Sequence, residues 1–219
     1  MNSNKILVTG AAGFIGYNLC SQILNEFKNV NLYGIDSINN YYSVKIKKLR
    51  ISNLKKYENF LFDKINIDNR KELDKYFKKK NFDYIFHLAA QAGVRYSIEK
   101  PRKYLNANTI GFFNLLENCK SKNIKRIFYA SSSSVYGDSN KFPLSEKQII
   151  KPINYYGLTK KNNEETAEIF SKYYGLKLIG LRFFTVYGEW GRPDMVIFKL
   201  LESIFKKKFL NLIIKEIIL

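Results

Sequence analysis

Gly10, Gly13 and Gly16 stand three residues apart in the run Lys5-Ile6-Leu7-Val8-Thr9-Gly10-Ala11-Ala12-Gly13-Phe14-Ile15-Gly16. Glycine has no Cβ, so a backbone rich in it can turn tightly and lie against a pyrophosphate. A helix opening at such a turn adds free N–H groups and the positive end of its dipole. Asp36 follows Gly16 by 20 residues, the distance at which a carboxylate meets the ribose hydroxyls of a dinucleotide. Neither Arg nor Lys directly follows Asp36, which favours NAD over NADP. The glycines are not a nucleoside-triphosphatase loop, because no Lys-Ser/Thr pair follows them.

A second constellation lies later. Tyr156 and Lys160 are four residues apart and share one face of a helix. The spacing alone is weak, because Tyr-x-x-x-Lys also begins at Tyr41, Tyr76, Tyr96 and Tyr173. Only the Tyr156 pair follows a strand that ends in a serine run, Ser131-Ser132-Ser133-Ser134. His87 is the one histidine, so a histidine-based triad or a multi-histidine metal site would depend on that single residue; neither is expected, and no metal is expected.

These residues need elements to hold them. Ile6-Leu7-Val8 reads as a buried strand, and Ile15, Leu19, Ile23, Leu24 and Phe27 recur at helical spacing after it. Further strands are expected at 30–36, at 60–67, at 84–88, at 126–130 and from Leu178. Helices are expected between them, near 43–56, 70–80, from Pro101, and over 155–174. Alternating strands and helices imply a Rossmann-type α/β fold: a doubly wound parallel sheet covered on both faces. The ligand then sits at the carboxyl ends of the strands, where the glycine turn, the serine run and the turn after His87 all fall.

The 219 residues suffice for one α/β domain. Cys20 and Cys119 are the only cysteines, which argues against a disulfide scaffold and for the cytoplasm. No leader segment and no membrane-spanning run are expected. The net charge of +18 is spread over many segments, so it reads as a solvated surface and not as a nucleic-acid site.

Thr9-Gly10-Ala11-Ala12-Gly13-Phe14-Ile15-Gly16, His87-Leu88-Ala89-Ala90 and Tyr156-Gly157-Leu158-Thr159-Lys160 resemble the extended short-chain dehydrogenase/reductase family of nucleotide-sugar epimerases and dehydratases. The resemblance covers residues 4 to about 205. It implies NAD as cofactor and a catalytic set of Ser132, Tyr156 as base, and Lys160. It places cofactor contacts at Gly10, Gly13, Phe14, Ile15, Gly16, Asp36, Asn66, Ile67, Leu88, Ala89, Ala90, Gln91, Tyr156 and Lys160. Lys160 is expected to favour the phenolate of Tyr156, whose free pKa near 10 is too high for a base. Asn66 stands where the family usually carries an aspartate near the adenine.

Family dehydratases resemble Thr-Asp-Glu-Val-Tyr-Gly at the serine run. Here Ser132-Ser133-Ser134-Val135-Tyr136-Gly137 lacks the acid pair, so epimerisation is expected over elimination. Gln91 to Ser97, Leu181 to Gly188 and Trp190-Gly191-Arg192-Pro193-Asp194-Met195 are similar to the UDP-glucuronate 4-epimerases. In that subgroup Ser133, Thr185 and Arg192 would hold the sugar carboxylate, which suits arginine's bidentate fork. Another nucleotide sugar, or a non-catalytic NAD-binding remnant, are the alternatives. The subgroup also implies a homodimer through the helices near 100–120 and 155–174. The chain divides into an NAD-binding domain over 1–180 and a partial substrate region over 181–219. The apolar tail from Phe209 to Leu219 departs from the family pattern and suggests a shortened product of poor turnover.

Overall fold

The computed structural model describes residues 3–205, so the tail discussed above lies outside the described residues. Six strands form one parallel sheet: β1 (Asn4–Thr9), β2 (Val30–Asp36), β3 (Phe60–Lys64), β4 (Tyr84–His87), β5 (Arg126–Ser132) and β6 (Leu178–Phe183). Their spatial order is β3-β2-β1-β4-β5-β6. β1 pairs with β2 on one side and β4 on the other, so the winding reverses beside it. A crevice opens at such a reversal, at the carboxyl ends of the strands. The glycine turn follows β1 there.

The strands are apolar because both sheet faces are covered. Successive residues point to opposite faces. In β1, Ile6 and Val8 pack with Tyr17, Cys20 and Leu24 of α1 (Phe14–Glu26) and Ile51 and Leu54 of α2 (Val44–Leu54). Leu7 faces the other way. It joins Leu73 and Phe77 of α3 (Arg70–Lys79), Phe112 and Leu115 of α6 (Gly111–Cys119), and Phe170 of α7 (Tyr155–Tyr174). α7 spans the expected residues because both ends are marked. Asn154 caps it by accepting from Gly157 N–H at 2.8 Å, and Gly175 stops it in the left-handed region at φ +68°.

The sequence reading differs from the structure between Gly93 and Cys119. A short helix α4 (Val94–Glu99) precedes Pro101, which was not expected. Pro101 then opens α5 (Pro101–Tyr104), and the chain widens to a π-turn over Leu105–Ile110 before α6. Hydrophobic spacing does not register one wider turn inside a helix. β3 also ends earlier than expected, at Lys64, which leaves Asn66 and Ile67 in the loop beyond it. α8 (Val196–Phe205) buries none of its residues.

Candidate active site

The strand ends open into one cleft of about 700 Å³. Its cofactor end is built from backbone. Gly10 has φ +74°, and a Cβ there would stand 2.7 Å from the Ala89 nitrogen. A Cβ on Gly16 would stand 2.1 Å from the Gly10 carbonyl oxygen, so only glycine lets α1 start so close to β1. A Cβ on Gly13 would meet only Gly10 within 4 Å, and would otherwise fill the cradle itself. The turn hangs on the sheet through Gly10 N–H and Ala11 N–H, which donate to the Ile35 carbonyl at 2.8 and 3.2 Å. Next to it, the Asp36 carboxylate accepts from Ala12 N–H at 3.2 Å and Ile38 N–H at 2.7 Å. Burial pushes its pKa up, opposed by the Ile38 and Ala12 N–H groups and by the charges of Lys47 and Arg50. This cradle fits a dinucleotide.

Asn66 and Ile67 line the same end, across from Leu88, Ala89, Ala90 and Gln91. Ile67 packs so tightly under α6 that a Cβ on Gly111 would lie 2.7 Å from it. His87 does not enter the chemistry. Its Nδ1 meets the Thr9 hydroxyl at 2.9 Å, and that hydroxyl accepts from Ala89 N–H at 3.1 Å. Burial, with Lys160 nearby, lowers its pKa to about 3, so it is a neutral brace between β1 and β4.

The other end of the cleft carries Ser132, Ser133, Tyr156, Lys160, Thr185 and Arg192. The structure therefore brings every sequence-predicted site residue to one cavity. Lys160 is fully buried, and its Nζ donates to the Ala130 carbonyl of β5 at 2.8 Å. Burial lowers its pKa to about 8. Burial also pushes the Tyr156 hydroxyl up; a hydrogen bond with Ser132 and the charge of Arg192 pull it back. The net direction is upward, and Lys160, whose ammonium bonds Ala130 and stands 6.0 Å from the centre of the Tyr156 ring, is not among the groups that pull it back. Arg192 holds Asp194 bidentately, Nε to Oδ1 at 3.0 Å and Nη2 to Oδ2 at 2.7 Å. The Tyr41 hydroxyl donates to the same Oδ2 at 3.4 Å. Arg95 does not line the cleft.

The sequence model described as the NAD dependent epimerase/dehydratase family matches residues 6–218. The chain belongs to that family. The match runs past residue 205, where the sequence resemblance was expected to stop. Protein CapI of Staphylococcus aureus is 48% identical over 201 residues, 91% of this chain and 59% of that protein. UDP-glucuronate 4-epimerase 4 of Arabidopsis thaliana is 45% identical over 213 residues, 96% of this chain and 48% of that one. The crystal structure of UDP-glucuronic acid 4-epimerase from Bacillus cereus, with UDP-glucuronic acid and NAD, superposes at TM-score 0.87 and 35% identity. That superposition covers 93% of this chain and 64% of the Bacillus chain. The chain spans between 46% and 64% of the length of the curated relatives it matches.

NAD is the cofactor of this family, and the glycine turn with Asp36 is where this member can hold it. Several residues that shape the epimerase-family site escaped the sequence reading. Asn108 is buried on the π-turn, accepts from Gln91 N–H at 2.7 Å and donates to Thr159 Oγ1 at 3.0 Å. Thr159 in turn donates to the Tyr156 carbonyl at 2.7 Å, so Asn108 ties the turn after β4 to the tyrosine helix. Ser97 of α4 accepts from Tyr156 N–H at 3.3 Å. Tyr104 donates to the Ala92 carbonyl at 2.9 Å and sets its ring edge-on to Tyr156 at 6.0 Å. Lys47 approaches Asp36 from α2, eleven residues beyond the aspartate where a search for an adjacent cation does not look. Only Gly93, the glycine ahead of α4, hinted at this layer. Its φ is +103°, and a Cβ there would crowd the Tyr41 hydroxyl at 2.8 Å.

Proposed function

We propose that this chain carries the NAD half of a nucleotide-sugar 4-epimerase, and that the sugar is UDP-glucuronate. One observation carries the reading: Ser132, Tyr156, Lys160 and Arg192 line the same cleft as the glycine turn and Asp36. Bound NAD supplies the acceptor and donor of hydride. Tyr156 is the base that takes the proton from the sugar 4-hydroxyl, and Ser132 hydrogen-bonds the same oxygen. Lys160, anchored on Ala130, keeps a positive charge near the ring. Arg192 offers its remaining Nη1 to the sugar carboxylate, with Ser133 and Thr185 beside it. NAD is expected to contact Gly10, Gly13, Phe14, Ile15, Gly16, Asp36, Asn66, Ile67 and Leu88 to Gln91. A domain boundary near residue 180 and a homodimer through α6 and α7 belong to the same reading.

Elimination is the weaker alternative. The carboxylates that line the cleft are Asp36 and Asp68, at the ends of β2 and β3. β5, where Ser132 stands, is separated from them by β1 and β4. Among the described residues no acid pair lines the cleft beside the serine run; Glu164, which accepts from Ser131, is outside the lining and is held by Arg182. The test is turnover of UDP-glucuronate with NAD, followed by proton NMR of the sugar. Conversion to UDP-galacturonate is the expected product. With UDP-glucose run in parallel, a 4-keto-6-deoxy product from it, or its conversion while UDP-glucuronate stays unchanged, would replace this reading.

A further inference from the structure

Arg50 is a fully buried cation, and among the described residues its hydrogen-bond partners are carbonyls and one hydroxyl. From α2 it spans two turns far apart in sequence. Its Nη1 donates to the Ala12 carbonyl at 2.8 Å, inside the glycine turn, and to the Tyr42 hydroxyl at 2.6 Å. Its Nη2 donates to the carbonyls of Trp190 and, at 3.3 Å, Gly191. Those carbonyls immediately precede Arg192. Burying a guanidinium is costly unless its donors are met, and here carbonyls of two separate turns and one hydroxyl meet them. Its Nε is buried and meets no hydrogen-bond partner among the described residues.

The second turn leans on the cofactor side elsewhere too. The Trp190 ring sits 5.2 Å from that of Tyr17 on α1. Asn18 of α1 donates to the Glu189 carbonyl at 3.1 Å. Trp190 itself holds φ +60°, a conformation that bulky residues rarely adopt without outside support. A guanidinium is rigid and planar, so one group bonded to both turns fixes the spacing between them. A lysine, as a single point donor on a flexible stem, would not.

We propose that Arg50 is a positioning residue that couples the glycine turn to the turn carrying Arg192, so that NAD bound at the first orders the second. This deepens the reading of Arg192 as the carboxylate-binding group, but its test needs NAD alone. By linkage, whatever NAD does to the Arg192 turn, a ligand of Arg192 does to NAD affinity.

Trp190 is the chain's one tryptophan and does not line the cleft, so its emission reports this turn and not direct contact with a ligand. Titrating oxidised NAD into the wild-type chain should change Trp190 emission in proportion to occupancy. It should also slow amide hydrogen exchange over residues 188–192. In Arg50→Lys, calorimetry gives the NAD concentration that saturates the variant, so that emission is compared with wild type at equal occupancy. The emission change should fall to under a third of its wild-type size. Arg50→Gln, which can reach one turn but not both, serves as the second variant. A full emission change in either NAD-bound variant overturns the coupling. So does a wild-type chain whose 188–192 exchange ignores NAD, a result that stands even if both variants fail to fold. Failure of UDP-glucuronate to bind would sink the substrate reading and leave this result untouched.

Discussion

The two ends of the cleft are made differently. At the cofactor end the cradle is mostly backbone with the Asp36 carboxylate beside it, fixed by β1, β2 and α1 and by glycines where a Cβ would clash. At the other end the ligand-facing groups are side chains, several of them aimed by another side chain: Arg192 by Asp194, Tyr156 by Ser132, and the helix under Tyr156 by Asn108. The first end is packed into the core, whereas α8 beside the second buries nothing. Binding a dinucleotide needs a shape that a short chain segment encodes locally. Moving a proton on a particular sugar needs groups drawn from several segments.

The sharpest test of this contrast is Tyr156→Phe. It should cut turnover by about a thousandfold, within the usual range for a lost acid–base group, while NAD affinity is unchanged. Retained turnover would remove the tyrosine from the role. Gly16→Ala should do the reverse, weakening the fold by about 3 kcal/mol through backbone overpacking and releasing NAD. Chemical denaturation with and without NAD reads both losses, and a fully stable Gly16→Ala variant would show that the turn has slack.

Lys160 lies where the two ends meet, and its effect depends on pH. Its folded pKa of about 8 is below the free value of 10.5, so the unfolded chain binds more protons between those values. Stability should therefore rise from pH 8 to 10.5, by about 3 kcal/mol from this group. Lys160→Met should lack that rise, so the two denaturation curves measured at pH 7 and pH 10 should differ in gap by that amount. A constant gap would mean the ammonium is better solvated than its burial implies.

Asp36→Ala removes one charged contact among several backbone ones, so NAD affinity should fall by about 2 kcal/mol in calorimetry. Unchanged affinity would take Asp36 off the ribose. The smallest effect is expected at Arg192, already half engaged by Asp194. Arg192→Ala should weaken UDP-glucuronate by about 1.5 kcal/mol and UDP-glucose hardly at all. Equal losses would mean the guanidinium shapes the loop and does not read the carboxylate.

The same contrast explains what the sequence disclosed. Strand, glycine turn and helix lie within one stretch, and Asp36 follows at a fixed distance, so the glycine turn and the succession of strands were legible, though not where β3 ends. α7 was legible because Asn154 and Gly175 mark its ends. The π-turn was not, since Leu105 to Ile110 keeps an ordinary helical composition. Asp194 and Arg50 were missed for another reason. Arg50 bonds the Ala12 and Trp190 carbonyls, and a contact between distant segments leaves no periodicity to read; Asp194 sits two residues from Arg192, a pairing that no helix or strand spacing marks.

The wide turn at Leu105–Ile110 has a consequence for how this chain tolerates length changes. It is one residue longer than the α-helical turn it replaces. Deleting a residue there would give an unbroken helix from Pro101 to Cys119, a better helix by every local measure. Keeping every residue but winding them all as α-helix would instead turn one half against the other by about 100°, carrying Tyr104 and Asn108 off the partners they now hold. The irregularity is thus a phase adjustment: it lets one face of the helix pack on the core through Phe112, Leu115 and Leu116 while another meets the turn after β4.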